Sequence, residues 1–122
     1  MSAVVYVAGQ TMELEVPPRI CVRHDLSIAS GESRKGQTGV RVCAAALLMC
    51  WPGLASKKDA PRYRGDVIDF GGDALDYLLG VGATLADIVA AGNVALEMVI
   101  SSLVTARQVE EARGNSGAPT GG

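Results

Sequence analysis

Residues 40–51 read VRVCAAALLMCW, and within them Val40, Cys43, Ala44, Leu47, Leu48 and Trp51 recur at helical spacing. The spacing predicts a helix from about Thr38 to Trp51 that is buried on more than one side. Pro52-Gly53 ends it, because proline cannot continue a helix. A helix of this kind needs neighbours, and the sequence on either side supplies them. The expected fold is mainly α with a small N-terminal β-hairpin, an α+β arrangement built on a compact bundle of three to four helices.

Downstream, residues 55–65 form a polar connector carrying Lys57, Lys58, Arg62 and Arg64. A short helix is expected from about Gly72 to Leu79, with Leu75, Leu78 and Leu79 facing inward and Gly80 and Gly82 supplying its end. Gly71-Gly72 is expected to prevent a longer continuous helix. Thr84 followed by Asp87 resembles a capping box with Asp in the usual Glu position, and marks the next helix start. From there Leu85, Ile88, Val89, Leu96, Val99, Ile100 and Leu103 share one stripe. Gly92 lies on the same stripe, where glycine costs about 1 kcal/mol relative to alanine, so it signals a close helix crossing or a break. A continuous or kinked helix to about Arg113 is expected, followed by a disordered tail, Gly114 to Gly122.

Upstream, Val4-Val5-Tyr6-Val7 and Met12-Glu13-Leu14-Glu15-Val16 flank Ala8-Gly9-Gln10-Thr11. The second run alternates apolar with acidic residues, which predicts a hairpin with one wet face, closed off by Pro17-Pro18. Residues 19–29 fit helix or strand equally well, and residues 30–39 (SGESRKGQTG) read as a polar loop. One domain over residues 1–113 is expected, with the hairpin at 1–18 and the helical core at 38–113.

Composition narrows the function classes. Hydrophobic residues make up 48% of the 122-residue chain and aromatics only 4%, so Ala, Val, Leu and Ile must fill the core. A formal charge of −2 gives no broad electrostatic footprint for nucleic acid, which is not an expected partner. Cys21, Cys43 and Cys50 have no CxxC spacing and are odd in number, which suits a reducing cytoplasm. The apolar run at 40–51 is shorter than the roughly 20 residues of a membrane span, and the run at 75–104 is interrupted by Asp76, Asp87, Asn93 and Glu97. Neither is expected to cross a membrane.

Few residues invite chemistry. The segment Gly31 to Thr38 has the glycine spacing of a phosphate-binding loop, but Gln37 occupies the position where that loop requires lysine. His24-Asp25 is the one acid–base pair on offer, with Ser27 or Ser30 as nucleophile, yet adjacent residues usually point apart. Cys43 and Cys50 sit two turns apart, too far to share a metal, and read as small buried hydrophobes. Asp66, Asp69, Asp73 and Asp76 lack calcium-loop spacing and read as a solvated edge or as helix N-terminal charges. The basic connector reads as a solvated loop, and Gly80-Val81-Gly82 as a turn between helices. No catalytic residue, cofactor or metal is therefore expected.

The run from Arg41 through Glu97 resembles the tail assembly chaperones encoded in the tail-gene region of long-tailed bacteriophages and prophages. The resemblance lies in Ala44-Ala45-Ala46-Leu47 leading to Cys50-Trp51-Pro52, in Tyr63, in Asp69-Phe70-Gly71 with Leu75 and Leu78, and in Gly82, Ile88, Gly92 and Ala95. It implies a small, mostly helical, non-enzymatic protein that binds the tape-measure protein and the tail-tube protein in the host bacterial cytoplasm. The hairpin and Pro17-Pro18 carry no signature of that family. The alternative is a structural virion component of the head-to-tail connector or tail, located in the particle. In either case homo-oligomers are expected, and partner contact is expected through Leu75, Leu78, Leu79, Leu96, Val99 and Leu103, by helix-in-groove recognition.

Overall fold

A computed structural model describes residues 2–33 and 39–116. It is mainly α with a small N-terminal hairpin, in the order β1 (Ser2–Val7), β2 (Gln10–Glu15), α1 (Ile20–Ser33), α2 (Gly39–Met49), a 3-10 turn (Pro52–Ser56), α3 (Val67–Gly80) and α4 (Leu85–Ser116).

Helix α2 is the centre of the molecule. Every residue from Val42 to Leu48 is buried, as its run of apolar side chains requires. Its alanines are small enough for neighbours to come close, and glycines on those neighbours complete the approach. A Cβ added at Gly71 of α3 would lie 2.7 Å from the carbonyl carbon of Arg41, and one at Gly92 of α4 would lie 2.6 Å from the Cα and carbonyl oxygen of Cys43. Both helices therefore cross α2 at backbone contact, at positions where only glycine fits. Gly92 marks a crossing within an unbroken helix.

Gly71-Gly72 likewise lies inside a continuous helix, which corrects the expected break there and lengthens α3 by five residues at its start. Two devices define that helix. The Asp66 carboxylate accepts from the backbone N–H of Ile68 at 2.7 Å and of Asp69 at 3.1 Å, satisfying donors that a helix start leaves open. At the other end the N–H of Ala83 donates to Leu78 O at 3.0 Å and that of Gly82 to Leu79 O at 3.1 Å, with Gly82 at φ +100°. This is a Schellman ending, closed by apolar contact between the buried Leu78 and Ala83 positions. Helix α4 begins with Thr84 Oγ1 accepting from Asp87 N at 3.1 Å.

Residues 20–33, ambiguous in sequence, are helical through Ser33, so the polar loop expected from Ser30 begins later. Pro17-Pro18 forces the chain out of β2, and α1 buries Leu26 and Ala29 while exposing Cys21, His24, Asp25 and Ile28. That stripe is too narrow to give a clear helical signal. Helix α4 is described to Ser116, and residues 117–122 lie outside the described residues.

The hairpin pairs antiparallel, with Val5 opposite Met12 and Ala3 opposite Leu14 on the core side. Val4 and Tyr6 stand on the opposite, solvent face with Glu13 and Thr11 across from them. Its two-residue turn places Ala8 at φ 54° and Gly9 at φ 75°, the type I′ geometry that suits the strand twist. The Glu15 N–H donates to Cys50 O at 2.7 Å, which fastens β2 to the end of α2.

The stretch Leu85–Leu103 has the length and apolarity of a membrane span. In this fold 39% of it is buried, with Ile88, Ala91, Ala95, Leu96, Met98 and Val99 in the protein core and Leu85 exposed.

Candidate partner-docking groove

The C-terminal end of α2 opens onto an apolar groove of about 380 Å³. Its walls come from segments far apart in sequence: Pro17 and Val22 from around the start of α1, Met49 and Trp51 from the end of α2, Tyr63 from the connector and Phe70 from α3. Trp51, Tyr63 and Phe70 are three of the five aromatic residues in the chain. Arg19 and Arg62 stand on the rim, both exposed, and no carboxylate is among the described residues that line the groove.

Local bonds fix each wall. Arg23 Nε donates to Pro17 O at 2.6 Å, setting the diproline against the first turn of α1. Cys50 N donates to Ala46 O and Trp51 N to Leu48 O, so α2 ends with Trp51 held beside the groove before Pro52 starts the 3-10 turn. Arg62 Nη2 donates to Lys57 O at 2.8 Å, folding the basic connector onto itself. The Tyr63 hydroxyl shares its proton between Asp25 Oδ2 at 2.8 Å and Gly65 O at 2.9 Å, and its ring meets Phe70 edge-on with centroids 5.6 Å apart. Burial, and then the hydrogen bond and charge of Asp25, push the Tyr63 hydroxyl up to about 12, so it remains a donor across the ordinary pH range. Aromatic faces, prolines and rim guanidinium groups can hold aliphatic or aromatic side chains next to carboxylates. They supply no nucleophile and no acid–base pair.

A larger cavity, about 530 Å³, lies between the end of α1, the start of α2 and α4, lined by Cys43, Asn93, Glu97 and Leu96 among others. Cys43 Sγ reaches Asn93 Oδ1 at 3.8 Å there, and burial raises the thiol, which disfavours the reactive thiolate. Among the described residues that line it none is aromatic and none is cationic, so the smaller groove is the better built recognition surface.

The residues singled out in the sequence are dispersed. His24 is exposed on α1, and the carboxylate of Asp25 beside it accepts from Tyr63. Ser27 is half-buried on α1, and Ser30 lines the larger cavity. Cys21 is exposed, whereas Cys43 and Cys50 are buried, and burial pushes the Cys50 thiol up to about 12. Among the described residues no group of three His, Cys, Asp or Glu side chains could hold a metal ion. Asp66 caps α3, with Asp69, Asp73 and Asp76 exposed along it. Gly31 to Ser33 end α1, and the rest of the glycine-rich segment, residues 34–38, lies outside the described residues.

The six residues expected to meet a partner divide. Leu78, Leu96 and Val99 belong to the chain's own core, Leu75 and Leu103 are half-buried, and Leu79 is 43% exposed. The groove itself was signalled only by where the rare aromatics and the prolines stand, a signal that spacing along one helix does not carry. Comparison with protein-family models, with curated proteins and with solved structures finds nothing that matches this chain.

Proposed function

We propose that this chain is a non-enzymatic tail assembly chaperone of a long-tailed bacteriophage or prophage, which holds an apolar segment of the tape-measure or tail-tube protein in the host cytoplasm while the tail is built. The observation that carries the reading is the arginine-rimmed groove, which gathers three of the chain's five aromatic residues and, among the described residues, no carboxylate. The resemblance along Arg41 to Glu97 supplies the identity of the client, and the groove supplies a surface able to shield it reversibly. Contact energy would come from burying the client's apolar side chains, and orientation from its carboxylates on Arg19 and Arg62.

The alternative, a structural component of the connector or tail, draws on a different feature. Val4 and Tyr6 are 61% and 72% exposed on the outer face of a two-stranded hairpin, a surface suited to permanent assembly. The test is mass spectrometry of purified particles together with capture by this chain from an induced lysate. The chaperone reading expects tape-measure or tube protein in the capture, its loss with Arg19→Glu/Arg62→Glu, and absence of this chain from particles. A fixed, symmetry-related copy number in the particles would overturn it in favour of the structural component.

A further inference from the structure

The groove is basic, and one segment of the same chain is its complement. From Gly65 to Ala106 there is no Lys or Arg, while Asp66, Asp69, Asp73, Asp76, Asp87 and Glu97 all fall within those residues. The turn joining α3 to α4 exposes three aliphatic side chains in seven residues: Leu79 at 43%, Val81 at 52% and Leu85 at 52%. Asp76 precedes them and Asp87 follows. The turn is rigid, because the Schellman hydrogen bonds at Gly82 and Ala83 fix one side and the Thr84 cap fixes the other. Little conformational entropy is therefore left to lose on docking.

We propose that this acidic, apolar knuckle of one copy docks into the arginine-rimmed groove of a second copy, so that the chain associates head to tail. Arg19 and Arg62 stand on the groove and Asp76 and Asp87 flank the knuckle in sequence, with Lys57 the one cation in the crevice that Val81 lines and no carboxylate among the described residues that line the groove. The apolar content matches as well, aliphatic side chains meeting aromatic and proline walls. Within one chain Val81 does not line the groove but a neighbouring crevice, with Val7, Met12, Tyr77 and Lys57, that meets the groove at Trp51. The two surfaces differ, so the interface is heterologous, and every added copy leaves one groove and one knuckle free. Such contacts close into rings or grow into open chains, depending on the rotation between copies. The inference uses the groove assigned above as a docking surface and is independent of which phage protein a client is. A client entering the groove would displace the neighbouring copy, coupling client capture to disassembly.

The test uses purified full-length chain in light scattering and sedimentation across concentration, at low salt and at about 0.5 M salt. The expected result is a mass above the 12.6 kDa monomer that rises with concentration and falls with salt. Leu79→Lys/Val81→Lys spoils the knuckle and Arg19→Glu/Arg62→Glu spoils the groove, all at solvent-accessible positions, with circular dichroism confirming the fold. Should a double variant misfold, Val81→Lys and Arg62→Glu take its place. Each variant alone is expected to be monomeric, and an equal mixture is expected to form dimers and nothing larger, because one intact groove and one intact knuckle remain. A wild-type chain that stays monomeric, a variant that associates as wild type does, or a mixture that stays monomeric overturns the proposal. Client capture reads out separately: a wild-type chain that stays monomeric yet captures tape-measure or tube protein removes the self-association and leaves the chaperone reading standing. Head-to-tail association without any such capture does the reverse.

Discussion

The two ends of helix α2 are finished in opposite ways. At its start α3 and α4 touch its backbone, at Arg41 and Cys43, through glycines whose missing side chains let main chain meet main chain, beside the larger cavity that Cys43 also lines. At its end Met49 and Trp51 meet Tyr63, Phe70 and the diproline, large or rigid groups that leave a groove, with arginines at the rim. Small residues here make a core and bulky ones make a surface. The difference separates packing that the fold requires from the groove proposed to receive a partner.

The sharpest way to break that comparison is to add one methyl group at the closed end. Gly92→Ala and Gly71→Ala should each destabilise by about 3 kcal/mol, since the new Cβ meets main-chain atoms that cannot rotate away. Helix propensity alone predicts the reverse, a gain of about 1 kcal/mol. Gly72→Ala provides the internal control. It sits in the same helix with nothing within 4 Å of an added Cβ, and should stabilise by roughly 0.5–1 kcal/mol. Urea unfolding of the three variants reads the sign directly, and a stabilised Gly92→Ala would mean that α4 does not cross α2 where described.

Leu78 and Leu79 give a second contrast, between adjacent residues that sequence alone treats alike. Leu78 is 1% exposed and seals the end of α3, so Leu78→Ala should cost about 2–5 kcal/mol. Leu79→Ala should stay within about 0.5 kcal/mol in stability. Comparable losses for both would show that the α3–α4 turn is packed against something on both sides.

These pairs also mark where the sequence was legible and where it was not. The central helix, the hairpin and the Thr84 start could be read because their signals are local: apolar spacing, alternation and a capping residue. Gly92 could be narrowed to a crossing or a break, because glycine on an apolar stripe has a cost that needs a reason. Gly71 could not, since the reason for its glycine is Arg41, thirty residues away, and Gly71-Gly72 looks like a helix breaker until the neighbouring backbone is in view. Helix α1 was ambiguous because only Leu26 and Ala29 of its side chains are fully buried, too few to fix a period. The groove lay beyond sequence reading for the same physical reason as Gly71. Pro17, Trp51, Tyr63 and Phe70 converge only through tertiary packing, and the leucines that drew attention instead are divided between core and surface.

At the open end, alkaline pH acts on two groups, the buried Cys50 thiol and the half-buried Tyr63 hydroxyl. The Cys50 thiol is raised from 9.0 to about 12 by burial. Between those values the unfolded chain has lost the proton that the folded chain retains, so this contribution to stability is complete below pH 9 and is lost as pH rises toward 12. The slope for one such proton is at most about 1.4 kcal/mol per pH unit. Tyr63, raised from 10.0 to about 12, acts in the same direction from pH 10 upward. Melting temperatures across this range should fall less steeply in Cys50→Ala from about pH 9 and in Tyr63→Phe from about pH 10. An unchanged profile in both variants would mean that this end of α2 is open to water.

The smallest expected effect is the one that most directly tests whether the groove is surplus to folding. Arg19 and Arg62 are both exposed on its rim, and the hydrogen bond that Arg62 makes to the Lys57 carbonyl is at the surface. Replacing either with alanine removes a cation without opening a cavity or orphaning a buried group, so stability should change by less than about 0.5 kcal/mol. If the arginines serve the fold, through the connector or the first turn of α1, the loss will exceed that and will appear in the isolated monomer. If they serve a partner, the monomer will melt as before and the change will appear only where something enters the groove. A silent result in the monomer is therefore the informative one, because it leaves binding as the physical reason for holding two cations beside an apolar surface.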